Sequence, residues 1–272
     1  MLAEEVRAHC ARIAAGARSV TIHPEAARYD TGTSGLDPAV HRLDAPRDEV
    51  VRYVLILDAI NFGSGWFDEL GTDTDALTRR LTERGVPWTP GALRALDAEA
   101  VGAALALDPG HDLTRLYAEA LRQLGRWLGD EPLELGDSAQ AFAARLVAGM
   151  PLFADPGFYK RAQITANDLA LTGVADFADA DRLTVFADNL LPHVLRHDGV
   201  LVYAPDLAER IDAGIELAHG SREEVELRAC AVHACEQLAA AAGVPPRTLD
   251  NWLWHRGLTL PRRPHRSRTT AY

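Results

Sequence analysis

Asp58, Asp188 and Asp250 are carboxylates embedded in apolar or aromatic runs, and Lys160 is the one lysine in a chain of 272 residues. Every other residue in the Lys+Arg total of 28 is arginine. An ammonium is a compact charge whose pKa moves on burial, whereas a guanidinium is a planar fork that stays protonated. A lone lysine in GFYKRAQITANDL (157–169) therefore marks a position where the fork does not fit, or it is a single survivor of biased composition. Asp58 and Asn61 interrupt the run VVRYVLILDAINF at i, i+3 spacing, which puts them on one helix face. A carboxylate there is costly unless paired or hydrogen-bonded. It either satisfies backbone groups in a core or, with Asn61, Phe62 and Trp66 beside a Gly-Ser-Gly turn, forms an aromatic, amide-bearing wall for a planar ligand. Asp188, in TVFADNLLPHVLRH, precedes a proline-broken helix; free amides at such a helix start hold a carboxylate ionised, or the aspartate is a plain cap. Asp250 stands before Trp252 and Trp254, an aromatic stripe of the kind usually found in cores.

Residues 256–272 hold Arg256, Arg262, Arg263, His265, Arg266 and Arg268 and no acid. That patch suits a single phosphate, or is a solvated tail. A duplex is a poor partner, because the chain carries a net charge of −11 and a polyanion repels it. The 10 histidines show neither HExxH nor HxH spacing, so no metal is expected. GxGxxG, P-loop and GxSxG motifs are missing as well, and no cofactor is expected. Cys10, Cys230 and Cys235 form neither a CxxC pair nor a zinc pattern, which points to reduced thiols and the cytoplasm. With a mean hydropathy of −0.11 and no long apolar run, no membrane segment is expected.

The elements that must position these groups read almost entirely as helix. Apolar spacing predicts helices over 3–16, from an Asp44 cap and Pro46 through 48–62, and over 74–84 between Asp73 and Gly85. Further helices follow Asp97, run from Asp112 to Gly129, and cover 138–149 and 157–171. The segment 184–196 reads as helix kinked or restarted at Pro192, followed by helices over 205–218, 222–242 and 246–256. LTVFAD and GVLVYA are the only strand candidates. The expectation is one all-α domain spanning 1–272, with one or two helical lobes.

Several strings together resemble the queuosine salvage family: LDAINF (57–62), FYKRAQ (158–163), TVFADNLLPHVLRHDGVLVY (184–203), REEVELRACAVHACEQL (222–238), LDNWLW (249–254) and PHRSRTTAY (264–272). They occur in the family's order and span most of the chain. The resemblance implies a helical architecture similar to the helix-hairpin-helix DNA glycosylases. It also implies hydrolysis of queuosine 5′-phosphate to queuine and ribose 5-phosphate, with queuine salvaged for tRNA modification. Departures are visible. Only NFGSGWF remains of the family's longer aromatic run, Asn189 and Leu190 stand where Tyr-Arg is common, and His255 follows LDNWLW where an acid is common.

Cleaving a ribosyl C–N bond builds cationic charge on the sugar, which a nearby carboxylate stabilises or attacks. The resemblance assigns that carboxylate to Asp188, and Lys160 to holding Asp188 ionised or to holding the phosphate. Asp58, Asn61 and Asp250 are then expected on the amide and amino edge of the base, with Phe62, Trp66 and Phe186 on its face. Trp254, His255 and His23 are expected among the substrate-binding residues, while His265, Arg266, Arg268 and Tyr272 match the terminal HR–R–Y pattern and are expected on phosphate or ribose. The rival readings are a glycosylase acting on DNA or another nucleoside, and a non-catalytic helical adaptor. The acidic charge and the lack of a helix-hairpin-helix GxG loop disfavour the first.

Overall fold

The computed structural model describes residues 1–31, 35–36, 40–41, 43–84, 88–261 and 264–272. Among them are thirteen α-helices and two short strands, so the architecture is all-α. The first half contains α1 (Leu2–Ala15), α2 (Arg47–Ala59), α3 (Phe67–Leu70), α4 (Thr74–Arg84), α5 (Pro90–Ala95), α6 (Ala98–Leu105) and α7 (Asp112–Leu128). The second contains α8 (Ala139–Gly149), α9 (Lys160–Leu171), α10 (Leu190–His197), α11 (Pro205–Asp212), α12 (Arg222–Ala242) and α13 (Pro246–Gly257). Strands β1 (Val20–Ile22) and β2 (Leu201–Tyr203) pair antiparallel, with Val20 opposite Tyr203.

Capping chemistry sets many of these boundaries. The carboxylates of Asp73 and Asp97 accept the amides of Ala76 and Ala100 at 2.7 and 2.8 Å. Other boundaries differ from expectation. Pro46, not Asp44, is the N-cap of α2, and its carbonyl accepts the amides of Glu49 and Val50. Helix α7 begins at Asp112 as expected, capped by His111 Nδ1, which accepts the Leu113 amide. The segment 184–189 is irregular rather than helical, and neither it nor the rest of LTVFAD forms a strand. Helix α10 begins only at Leu190, so Pro192 lies in its first turn, where a missing N–H breaks no intrahelical bond. Helix α11 ends at Asp212 rather than 218. Gly85 and residues 32–34 of the GTSG turn lie outside the described residues.

The apolar side chains pack as two cores. One gathers residues of α2 and α4 to α9; the other gathers residues of α1, α10 to α13 and both strands. Leu2 and Tyr159 pack against both. Helix α2 is buried nearly all round and packs on α7 and α9, as its unbroken apolar run predicts. Long-lever contacts fasten the second core, including α1 on α12 and α10 on α13. Leu57 and Ile60 of the first core and Leu191 of the second face one cavity along the seam.

Candidate active site

The cavity measures about 260 Å³, and Lys160, Asp188 and Tyr272 all line it. Its position follows from three segment ends. The first is the C-terminus of α2, where Asp58 and Asn61 leave the helix together. Asp58 is fully buried; Oδ1 accepts a hydrogen bond from Asn61 Nδ2 at 3.5 Å, and Oδ2 makes none among the described residues. Asn61 turns its Oδ1 to Lys160 Nζ at 3.1 Å, so one amide links the buried acid to the lone ammonium. Burial pushes the Asp58 carboxyl up to about 7, against the pull of Lys160.

The second is the start of α9. Tyr159 adopts a left-handed backbone, φ 51°, unusual for a residue with a side chain, and this turn launches the helix with Lys160 as its first residue. Asp155 secures the turn: its carbonyl accepts the Phe158 and Tyr159 amides and its Oδ2 accepts the Lys160 amide at 3.3 Å. Lys160 is only 4 % exposed. Burial depresses its ammonium, while the charges of Asp188 and then Asp58 hold it up. The fork of Arg161 points elsewhere, bonding the carbonyls of Ala59 and Leu152 with its plane over Phe62 and Phe153.

The third is the irregular segment before α10. Asp188 Oδ1 accepts the amides of Leu190 at 2.8 Å and Leu191 at 3.0 Å, so the aspartate caps the helix and lines the cavity at once. Both readings of Asp188 as cap and as site carboxylate are compatible, because capping occupies one oxygen. Asp250 accepts the Phe186 amide at 2.8 Å and faces the same space, and burial raises its carboxyl to about 8. Phe62, Phe186 and Trp254 supply aromatic wall, and the exposed His255 stands at the rim with its Nδ1 on Asn251 O.

Asp168 also lines this cavity, and sequence reading missed it. It sits on α9 two turns beyond Lys160, with Ile164 between them at i, i+4, i+8 spacing, which was the available signal. Burial, reinforced by the charge of Asp58, holds its carboxyl well above the usual range.

Other expected contacts are not at the cavity. Trp66 packs in the first core, because the Ser64–Trp66 turn swings it inward. His23 lies by Glu25 at 3.3 Å near β1, half exposed. The terminal segment folds back as a strap. Gly63 N donates to Tyr272 O, Leu217 N to Arg266 O and Asn189 Nδ2 to His265 O. A Cβ on Gly65 would stand 2.2 Å from Ser267 O, so the strap lies directly on that glycine. Of the strap, Tyr272 alone among the expected contacts reaches the cavity. Arg268 pairs with Glu69 and with Glu216 at 3.3 Å, and Arg266 bonds Gly65 O and lies 3.6 Å from Glu69. Both guanidinium groups thus meet acids, and neither lines the cavity. His265 is buried against the Tyr272 hydroxyl at 3.1 Å, and burial lowers its imidazole to about 4, leaving it neutral. Arg262 and Arg263 lie outside the described residues.

Arg228 ties these pieces together. Its guanidinium holds Asp155 at 2.6 and 3.1 Å, bonds Ala187 O at 3.0 Å, and stacks over Phe158 and Tyr272. One buried fork thus fixes the turn before Lys160, the backbone before Asp188 and the strap.

Residues 134–268 match the family described as queuosine salvage protein. The queuosine 5′-phosphate N-glycosylase/hydrolase of Sphaerobacter thermophilus is 34% identical over 266 residues, covering 83% of this chain and 82% of the relative. The enzymes of that name from Dictyostelium discoideum and Bos taurus are 36% and 39% identical over shorter stretches: 42% and 36% of this chain, 40% and 33% of theirs. By that likeness along most of its length, the chain belongs to the queuosine salvage protein family.

Proposed function

We propose that this chain hydrolyses the N-glycosidic bond of queuosine 5′-phosphate, releasing queuine and ribose 5-phosphate, with Asp188 as the carboxylate at the anomeric carbon. The observation that carries the assignment is the convergence of Asp188, Lys160 and the aromatic side chains Phe62, Phe186 and Trp254 on one cavity. As the C–N bond lengthens, the sugar gains oxocarbenium character. Asp188 meets it with the oxygen that does not cap α10, and two backbone amides together with the positive helix end hold its negative charge in place. Lys160 adds a fixed positive charge behind it; an ion pair at roughly 4 Å and an effective dielectric near 20 is worth about 4 kcal/mol before desolvation. In net, water gives hydroxide to the anomeric carbon and a proton to the base. A 7-deazaguanine has no ring N7 to protonate, so the base must be met elsewhere. Asp58 and Asp250 keep protonated forms near neutrality and face the base beside Asn61.

A cytoplasmic setting fits Cys10, Cys230 and Cys235, which are free and buried thiols. No helix among the described residues is long and apolar enough to cross a membrane. The substrate is a single nucleotide rather than a polynucleotide, in keeping with the net charge of −11.

Incubation with queuosine 5′-phosphate, with queuine release followed by chromatography, tests the activity. Asp188→Asn keeps an oxygen able to cap α10, and is expected to lower kcat by at least ~10³-fold with an unchanged circular dichroism spectrum. A folded variant turning over at near-normal rate removes Asp188 from the chemistry.

A further inference from the structure

Five aspartates, Asp58, Asp75, Asp168, Asp188 and Asp250, line the cavity, against one lysine and no arginine among the described residues. Asp188 and Asp250 each spend an oxygen on backbone amides, and Asp58 lies wholly buried with an oxygen that makes no hydrogen bond among the described residues. A buried carboxyl among further carboxyls is tolerated as the neutral acid, and as a carboxylate only when something brings donors or positive charge to it. Asp168 is the member with a free face. It is 7 % exposed, and the one hydrogen bond to its carboxyl among the described residues comes from Asn167 Nδ2 to Oδ1 at 3.1 Å. That amide is itself oriented: Arg247 donates to Asn167 Oδ1 at 3.3 Å while bridging to Asp181 at 2.7 Å. Asn167 thus turns its amino group toward Asp168, fixing one carboxyl oxygen and leaving the second to the cavity. Arg247 makes no hydrogen bond to Asp168 among the described residues, so Asn167 holds the acid in place with no guanidinium on it.

Resting on the reading of the substrate as queuosine 5′-phosphate, we propose that Asp168 is a specificity-determining residue that takes the secondary ammonium of the base's 7-aminomethyl arm. That arm is what separates queuine from a plain 7-deazaguanine, and its nitrogen is cationic near neutral pH. Asp168 stands two turns along α9 from Lys160, whose ammonium bonds Asn61, so on this reading the anomeric carbon lies near Asp188 and Lys160 and the base's substituent toward Asp168. Charge recognition in a largely buried cavity is selective, because a base without the cation leaves the carboxyl unpaired.

The test compares kcat/KM for queuosine 5′-phosphate and 7-deazaguanosine 5′-phosphate in the wild type and in Asp168→Asn. Loss of a charge-assisted hydrogen bond is expected to cost the first substrate about 10- to 100-fold more than the second. Equal losses on both overturn the proposal, since they place Asp168 on the amide and amino edge that the two bases share, or in the fold alone. Equilibrium binding of free queuine and 7-deazaguanine to the wild-type protein supplies a measurement that no folding defect touches. Queuine is expected to bind at least about 10-fold more tightly; equal affinities overturn the proposal. Failure of the hydrolase reading is separately visible: wild-type protein that releases base from neither nucleotide yet discriminates the two free bases would leave the ammonium site standing.

Discussion

Two groups of buried acids lie within one molecule and behave in opposite ways. Around Arg228, Asp155 and Glu224 are buried, yet each meets the guanidinium, and Glu224 also takes the Gly220 amide and the Tyr272 hydroxyl. Burial alone would raise Glu224, but His219, the charge of Arg228 and the Gly220 amide outweigh it and hold the carboxyl at about 2. Across the strap, Asp58 and Asp250 are buried like Asp155, yet their carboxyls rise to about 7 and about 8. The difference is compensation rather than depth. A structural hub brings its own counter-charge, whereas the cavity leaves its acids partly unanswered, which is where a ligand with donors and positive charge gains most.

The largest expected effect comes from destroying the compensated side. Arg228→Ala leaves two buried acids without their partner and should cost about 3–5 kcal/mol in urea unfolding. A loss under about 1 kcal/mol would show that the hub is solvated and the contrast false. Next, Lys160→Arg puts a fork where Asn61 accepts a point charge, and should lower kcat/KM by about 10- to 100-fold while the unfolding midpoint changes little. A fully active arginine variant would mean that the lone lysine is an accident of composition. The smallest effect is a difference in pH dependence. Asp250 sits at about 8 folded against 3.8 unfolded, so the folded state binds more protons between those values and stability falls as pH rises through them. Glu224 sits at about 2 folded against 4.5 unfolded, so its contribution is present above 4.5 and lost as pH falls toward 2. In urea midpoints measured across pH, Asp250→Asn should flatten the neutral side of the profile and Glu224→Gln the acid side. Identical profiles for both variants would erase the distinction between the regions.

The helices were legible where side chains mark their own boundaries. Asp73 and Asp97 cap as their positions predict, and the unbroken apolar run of α2 announces a central helix. Asp188, Lys160 and Asp250 stood out because each is chemically odd in its local string, and the cavity brings all three together. Features that depend on distant partners stayed hidden. β1 is three residues long and becomes a strand only by pairing with β2 far along the chain. The expected phosphate or ribose role of Arg266 and Arg268 rested on the basic tail and the terminal HR–R–Y match, neither of which shows that Glu69 and Glu216, remote in sequence, pair with them. Asp168 reads as an ordinary polar helix position until the packing of α9 shows which face is covered.

The seclusion of the single lysine has a practical consequence for labelling. Reagents that acylate primary amines find their usual surface targets missing here: apart from the α-amino group, the lone amine is the 4 % exposed Nζ of Lys160. Time-resolved acylation at that nitrogen, read by mass spectrometry, would record how often the chamber admits a small electrophile, and occupancy by a nucleotide should silence the signal.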